Sequence, residues 1–230
     1  MRDWHALLIH GAGGGAWEWN RWQGVLEAHA LSVGAMTLVP AREGLAATRL
    51  QDYLDQVGAA LQAMPRPRVL VGASLGGLLA ALCARDADAL VLVNPLPPAP
   101  WHAQLPRCEW EALVPWQRNA RLASSQDAMV DSDEASVLFA FRQWRDESGG
   151  VLREAQSGIA IEKPSCPALF VLSARDLEVP PVTVRAWAQV WQAESMETLA
   201  GSHVGPLLGG HAAHVASQTV AWLNRLKVPR

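Results

Sequence analysis

Val69-Leu70-Val71-Gly72-Ala73-Ser74-Leu75-Gly76-Gly77-Leu78-Leu79-Ala80 decides the fold of this chain. The β-branched and leucine run at 69–71 reads as a strand buried on both faces. Residues 72–76 then fit G-x-S-x-G, and the Ala/Leu-rich run at 78–85 reads as a helix. Strand, tight turn and helix in that order are the setting of a nucleophile elbow. Glycines at 72 and 76 leave room for a crowded turn and a close strand–helix approach, while the strained turn pushes Ser74 Oγ out of the sheet. A bare G-x-S-x-G arises often by chance, so its meaning depends on whether the rest of the chain supplies chemical partners.

Around that stretch, strand and helix patterns alternate, which argues for a mainly parallel sheet covered by helices. Residues 7–10 predict a first strand that ends in Gly11-Ala12-Gly13-Gly14-Gly15, with a helix over 19–30. A second strand is expected at 35–39, closed by Pro40. Helical spacing of Leu50, Leu54, Val57 and Leu61 marks a helix that Pro65 and Pro67 terminate. Further strands are expected at 89–93, 168–172 and 196–199, and helices at 184–192 and 215–226. After Asn94 the regularity breaks into a proline-rich connector and a Trp-rich helical stretch, and residues 95–163 read as a helical insertion within one domain spanning 1–230.

At 230 residues, 50% hydrophobic and 18% charged with a net charge of −3, the composition is that of an ordinary globular domain. The absence of a basic block argues against nucleic acid as a partner. No apolar run approaches the ~18 residues of a membrane span. Residues 1–10 run straight into a strand with no apolar signal region, and Cys83, Cys108 and Cys166 are odd in number with no C-x-x-C pair. Together these predict a cytoplasmic protein with reduced, mostly buried thiols. Eleven tryptophans stand against one tyrosine and three phenylalanines. Several fall in the insertion.

A serine hydroxyl is a poor nucleophile unless a base removes its proton as it attacks, and histidine is the usual base. A carboxylate then fixes the imidazole tautomer. In chain order, carboxylate and then histidine follow an elbow serine. Asp176 follows the strand at 168–172, and His203 in Ala200-Gly201-Ser202-His203 follows the last strand, so both belong at the carboxyl ends of strands near the elbow. Asp176 also suits a simple turn or helix cap. His211 and His214 compete with His203 but fall in or beside a helix, and as an i, i+3 pair they lack the further ligands of a metal site, so no metal is assigned. The oxyanion of a tetrahedral intermediate needs two aimed N–H donors. Leu75, directly after the serine, is one candidate, and Ala12 in the first glycine loop is the other. That loop has the wrong spacing for G-x-G-x-x-G and no following lysine, which argues against a nucleotide.

Taken together, these motifs resemble the α/β-hydrolase superfamily over nearly the whole chain outside the insertion. Residues 9–19, Ile-His-Gly-Ala-Gly-Gly-Gly-Ala-Trp-Glu-Trp, are similar to the H-G-x-x-x-x-A-W-x-W signature of its plant methylesterase and hydroxynitrile lyase branch. The resemblance implies a compact α/β-hydrolase fold: a mainly parallel sheet of about six strands, helices on both faces and a helical cap, without the N-terminal hairpin of larger relatives. It implies an oxyanion N–H at Ala12 and a structural role for His10. Ala73 stands where many relatives carry histidine, and Val204 where the lyases carry a lysine, which counts against cyanohydrin cleavage.

The expected activity is hydrolysis of a small to medium, largely apolar carboxylic ester by Ser74, Asp176 and His203, with no metal or organic cofactor. Trp17, Trp101, Val179 and Val204 are candidate pocket residues, whereas most cap aromatics are expected simply to pack the cap onto the core. Arg142, Arg145, Asp146 and Glu147 read as a solvated helix face. The same residues also serve thioester or C–C hydrolysis, lyase chemistry, or a ligand-binding receptor, because fold and triad do not set the substrate.

Overall fold

The computed structural model describes residues 3–199 and 201–227. Eight strands occur among them: β1 (His5–Ile9), β2 (Ser32–Met36), β3 (Arg68–Ala73), β4 (Ala89–Val93), β5 (Leu113–Val114), β6 (Glu147–Ser148), β7 (Ala168–Ser173) and β8 (Glu194–Thr198). The helices are α1 (Asn20–Ala28), α2 (Leu50–Ala63), α3 (Leu75–Leu82), α4 (Leu122–Ala128), α5 (Glu134–Gln143), α6 (Gly149–Ala155), α7 (Pro181–Val190), α8 (Gly205–Leu208) and α9 (Ala212–Arg225).

Six strands form one sheet in the order β2-β1-β3-β4-β7-β8, every neighbouring pair parallel. Parallel strands need crossovers, and here helices supply them on both faces. The side-chain period of two sends Leu7, Ile9, Leu70, Leu92 and Phe170 to a core shared with α2, α3 and α7. Ala6, Leu8, Val71, Val91 and Val171 point the other way, to a core shared with α1, α8 and α9. Because both faces are covered, β3 and β4 are near-continuous apolar runs without alternation.

The second strand lies at Ser32–Met36, earlier than the apolar run around Leu38 indicates. Leu38 is buried nonetheless, as a loop residue packed under the first glycine loop, and its N–H is taken by His10 rather than by a neighbouring strand. Between β4 and β7 the chain leaves the sheet. This segment is not wholly helical: β5 and β6 pair antiparallel, Leu113 opposite Ser148 and Val114 opposite Glu147. Strands of two residues carry no periodic signal in the sequence. Its last helix, α6, buries Val151 and Ala155 in the core beside α2. Cys83 and Cys166 are half-buried, but Cys108 is exposed, contrary to the expectation of mostly buried thiols. Among the described residues no helix is long and apolar enough to cross a membrane.

Backbone packs closely against backbone at the β3–α3 turn. A Cβ at Gly76 would stand 2.3 Å from the carbonyl oxygen of Ile9, and one at Gly72 would stand 2.2 Å from that of Gly76. Both obstacles are backbone, which cannot rotate aside. Gly76→Ala is therefore expected to destabilise the fold by about 1–3 kcal/mol. Gly58, in open space within α2, gives the opposite sign: Gly58→Ala should stabilise by roughly 0.5–1 kcal/mol. Urea unfolding of the two variants checks both, and an unchanged midpoint for Gly76→Ala would show that the contact is not tight.

Candidate active site

At the carboxyl edge of the sheet, β3 passes into α3 through Ser74, whose backbone lies at φ 51°, ψ −119°. A serine rarely adopts such a positive φ, and neighbours that over-determine the turn must hold it there. The Ser74 N–H donates to Val93 O at 3.1 Å. Its carbonyl accepts from Gly77 and Leu78 at the start of α3 and from Leu96 beyond β4. The side chain is thereby raised over the strand ends and faces a cavity of about 390 Å³ that His203 also lines.

His203 is buried, and its Nδ1–H donates to Asp176 Oδ2 at 2.6 Å. The other oxygen of Asp176 accepts the N–H groups of Glu178 and Val179 at 2.9 and 3.0 Å. One oxygen of Asp176 thus caps its turn while the other meets the His203 ring. Asn94, at the end of β4 with φ 41°, joins the neighbouring loops. Its Nδ2 donates to Ser173 Oγ (2.9 Å) and to His203 O (2.7 Å), while its Oδ1 accepts the Ser173 N–H (2.8 Å). Ala200, in the loop that carries His203, is outside the described residues.

The first glycine loop lies against Ser74. Gly11 N–H donates to Glu18 Oε2 (3.2 Å), Gly13 N–H to Glu147 Oε2 (2.9 Å) and Gly14 N–H to Gly11 O (3.2 Å). Among the described residues the Ala12 N–H has no protein acceptor, nor does the Leu75 N–H at the start of α3. Both Ala12 and Ser74 line the cavity. His10 has a structural part. Its Nε2 accepts the Leu38 N–H (3.0 Å), which leaves the proton on Nδ1 for Gly11 O (2.6 Å). Burial holds its pKa down at about 4.

Sequence reasoning misses the ties from the segment between β4 and β7. Arg145 and Glu147 are not on a solvated helix face. Glu147 is buried in β6 and accepts from Gly13 N–H, Tyr53 OH and Ser148 N–H. The Arg145 N–H donates to Gly13 O at 2.7 Å, and its guanidinium donates to the carbonyls of Gly14 and Leu38. On the other side, Asp131 accepts the Gly201 N–H at 2.8 Å and the hydroxyl of Ser202. These partners lie far apart in sequence, and no local pattern announces them.

Of the four candidate pocket residues, Val204 lines the cavity. Trp17, Trp101 and Val179 do not. Trp17 packs edge-on against Phe139 and Trp144, with centroids 5.8 and 5.0 Å away. Trp101 stacks over Trp187 in the opposite core. Val179 is buried in the Asp176 turn. The aromatic walls are instead Trp116 and Trp144. Glu18, buried between two tryptophans, and Glu178 also reach the cavity. A lone acid inside Trp-Glu-Trp is the available signal for Glu18. His211 and His214 are exposed at the start of α9.

Burial alone would push His203 below its ordinary value, but the carboxylates of Glu178, Asp176 and Glu18 outweigh it and raise the pKa to about 9. Glu178 Oε2 is 3.9 Å from Nε2, with its side chain 59% exposed. Desolvation raises Glu18 itself to about 7 against the stabilising N–H of Gly11.

The family description of the alpha/beta hydrolases matches residues 6–221, and the chain belongs to that family. No curated protein matches it in sequence. Among solved structures it resembles polyneuridine aldehyde esterase, at 16% identity and TM-score 0.76 over 95% of this chain and 100% of that one. A methylesterase from Arabidopsis superimposes with TM-score 0.75 at 13% identity, covering 96% and 99% of the two chains. A pyrethroid hydrolase from Sphingobium faniae does so with TM-score 0.75 at 17% identity, covering 96% and 97%. Identities this low establish likeness of fold.

The two buried imidazoles should titrate in opposite directions. His203, raised, adds stability that is complete below 6.5 and is lost as pH climbs through about 9. His10, depressed, adds stability that is complete above 6.5 and is lost as pH falls through about 4. NMR of the histidine Cε1 protons between pH 3 and 10 measures both midpoints. A His203 midpoint at 6.5 would refute the carboxylate account.

Proposed function

We propose that this alpha/beta hydrolase cleaves a modest-sized carboxylic ester through an acyl-enzyme on Ser74. The observation that carries the proposal is a serine on a strained turn sharing one cavity with an imidazole whose Nδ1–H is held by a buried carboxylate. Nδ1 being engaged, Nε2 is the ring nitrogen free to exchange a proton with the serine. The esterase neighbours support the same reaction class, and the cavity volume suits a small molecule.

In this scheme Ser74 Oγ attacks the ester carbonyl as His203 Nε2 takes its proton. The oxyanion forms within reach of the N–H groups of Ala12 and Leu75, which are preorganised and have no competing acceptor in the protein. Asp176 keeps the imidazole in its productive tautomer and balances the imidazolium. Collapse of the intermediate breaks the bond to the alkoxy oxygen, which leaves as the alcohol with the proton from His203. Water, deprotonated by His203, then attacks the acyl-enzyme and releases the acid. The scheme needs no metal or organic cofactor. Trp116, Trp144, Val204 and Leu207 in the cavity lining give an apolar bed for the rest of the substrate.

Intact-mass analysis after fluorophosphonate treatment tests the assignment. One adduct is expected on the wild type and none on Ser74→Ala or His203→Ala. A folded wild type that takes no label would defeat the proposal. Asp176→Asn should fold but lose roughly three to four orders of magnitude in kcat. Because the base must be neutral to act, kcat/KM should rise with pH toward about 9. Glu178→Gln should shift that limb to lower pH, and an unmoved limb would free Glu178 of any influence on the base.

A further inference from the structure

Glu18 is a feature of the cavity that ester hydrolysis does not itself require. It lies in the 3₁₀ turn Ala16–Trp19 and is only 2% exposed. Its Oε2 accepts the Gly11 N–H. Its Oε1 has no hydrogen-bond partner among the described residues, although the side chain forms part of the cavity wall with Ser74 and His203. The glycine loop makes room for this carboxyl: a Cβ at Gly14 would stand 1.7 Å from Oε1. A Cβ at Gly11 would lie 3.3 Å from Ser74 Cβ and 3.9 Å from Glu18 Oε2, so acid and serine flank one residue of loop. That oxygen is open to the cavity rather than sealed, so a ligand bound over Ser74 must replace the solvent that meets it and supply a polar partner of its own.

We infer that Glu18 is a specificity residue whose carboxyl group hydrogen-bonds a hydroxyl carried by the substrate close to its ester carbonyl. The inference rests on the ester-hydrolase proposal and deepens it by naming the substrate class, esters of short hydroxy acids. With the carbonyl oxygen directed to Ala12 and Leu75, a hydroxyl one or two carbons away is placed on the Glu18 side of the loop. The interaction works in either protonation state of the acid, because a hydroxyl donates to a carboxylate and accepts from a carboxylic acid. Burial brings the Glu18 carboxyl to about 7, so both states are populated near neutral pH. A methyl group in place of the hydroxyl would cover Oε1 and leave it unpaired. Sites built to bond a hydroxyl reject analogues lacking it far more strongly than apolar pockets sort hydrocarbons.

Two substrate pairs that differ only by hydroxyl against methyl provide the test. They are methyl lactate with methyl 2-methylpropanoate, and methyl 3-hydroxybutanoate with methyl 3-methylbutanoate. The wild type should favour the hydroxy ester of at least one pair by about tenfold or more in kcat/KM. Glu18→Gln, which keeps an acceptor for Gly11 and a polar group toward the cavity, should retain the preference, and Glu18→Leu should reverse it. A wild type that treats both pairs alike or prefers the methyl members overturns the inference, as does an unchanged ratio in Glu18→Leu. Fluorophosphonate labelling run alongside separates the two levels. An unlabelled wild type defeats the hydrolase proposal itself, whereas a labelled enzyme without hydroxyl preference defeats only the role of Glu18. Stoichiometric labelling of Glu18→Leu, at whatever rate, establishes that its site is assembled; without it, the wild-type and Glu18→Gln ratios decide.

Discussion

The backbone of the β3–α3 turn comes into direct contact with the end of β1, and the carboxyl edge of the sheet is organised around that contact. No side chain fits at Gly72 or Gly76, because the space is taken by carbonyl groups of the turn itself and of Ile9 and His10. Once the turn is wedged there, Ser74 has no relaxed backbone available. A strained residue of this kind costs about 1–3 kcal/mol. Four backbone hydrogen bonds hold Ser74, one through its N–H and three through its carbonyl, each worth about 0.5–1.5 kcal/mol net. The two sides are comparable, so the conformation is kept by the surrounding strands rather than by any local preference of the tripeptide. The same wedge sets the first glycine loop against the serine, so that Ala12 and Ser74 line one cavity.

Two acids from the segment between β4 and β7 then tie the loops in place. Glu147 reaches the first glycine loop through Gly13, and Asp131 reaches the loop of His203 through Gly201 and Ser202. An ionised carboxylate is costly to bury unless its lone pairs are met by donors. Glu147 has three such donors and Asp131 accepts the N–H of Gly201 and the N–H and hydroxyl of Ser202, so each carboxylate is met in part by the loop it ties. The segment that walls the cavity with Trp116 and Trp144 is therefore also a brace for both loops. Displacing it would strip acceptors from Gly13 and Gly201.

Features that depend on neighbours in sequence are legible in the sequence itself. The elbow glycines, the apolar β3 and β4, and the acid and histidine just past two strand ends are local patterns, and the six-strand parallel sheet follows from them. Features that depend on distant partners are not legible in this way. Gly13 and Glu147 meet across 134 positions, and Arg145 looks like a surface residue because its acceptors are carbonyls, which leave no mark on composition. Leu38 misleads the placement of β2 because burial in a loop and burial in a strand read alike in an apolar run. Position alone draws Trp101 and Trp17 toward the pocket, yet large aromatics satisfy themselves by packing on one another, and here each has an aromatic neighbour within 6.0 Å. Glu18 stands in plain view within the loop motif. What the motif does not reveal is that the glycine at 14 opens the space into which the acid folds.

Three carboxyl groups surround His203, and their burial divides the work among them. Asp176 is sealed and hydrogen-bonded to Nδ1, so its influence is fixed in direction and insensitive to the medium. Glu178 acts on Nε2 across 3.9 Å from a side chain 59% exposed. Solvent and salt screen a charge so placed, and its hold on the proton weakens as ionic strength rises. Glu18 is buried with its pKa brought to about 7, so its charge on the imidazole changes with pH through the neutral range. The proton on His203 is thus governed by one constant partner and two variable ones. Shielding Glu178 from solvent would lessen that screening and tighten its hold on the proton, whereas keeping Glu18 protonated would withhold its charge.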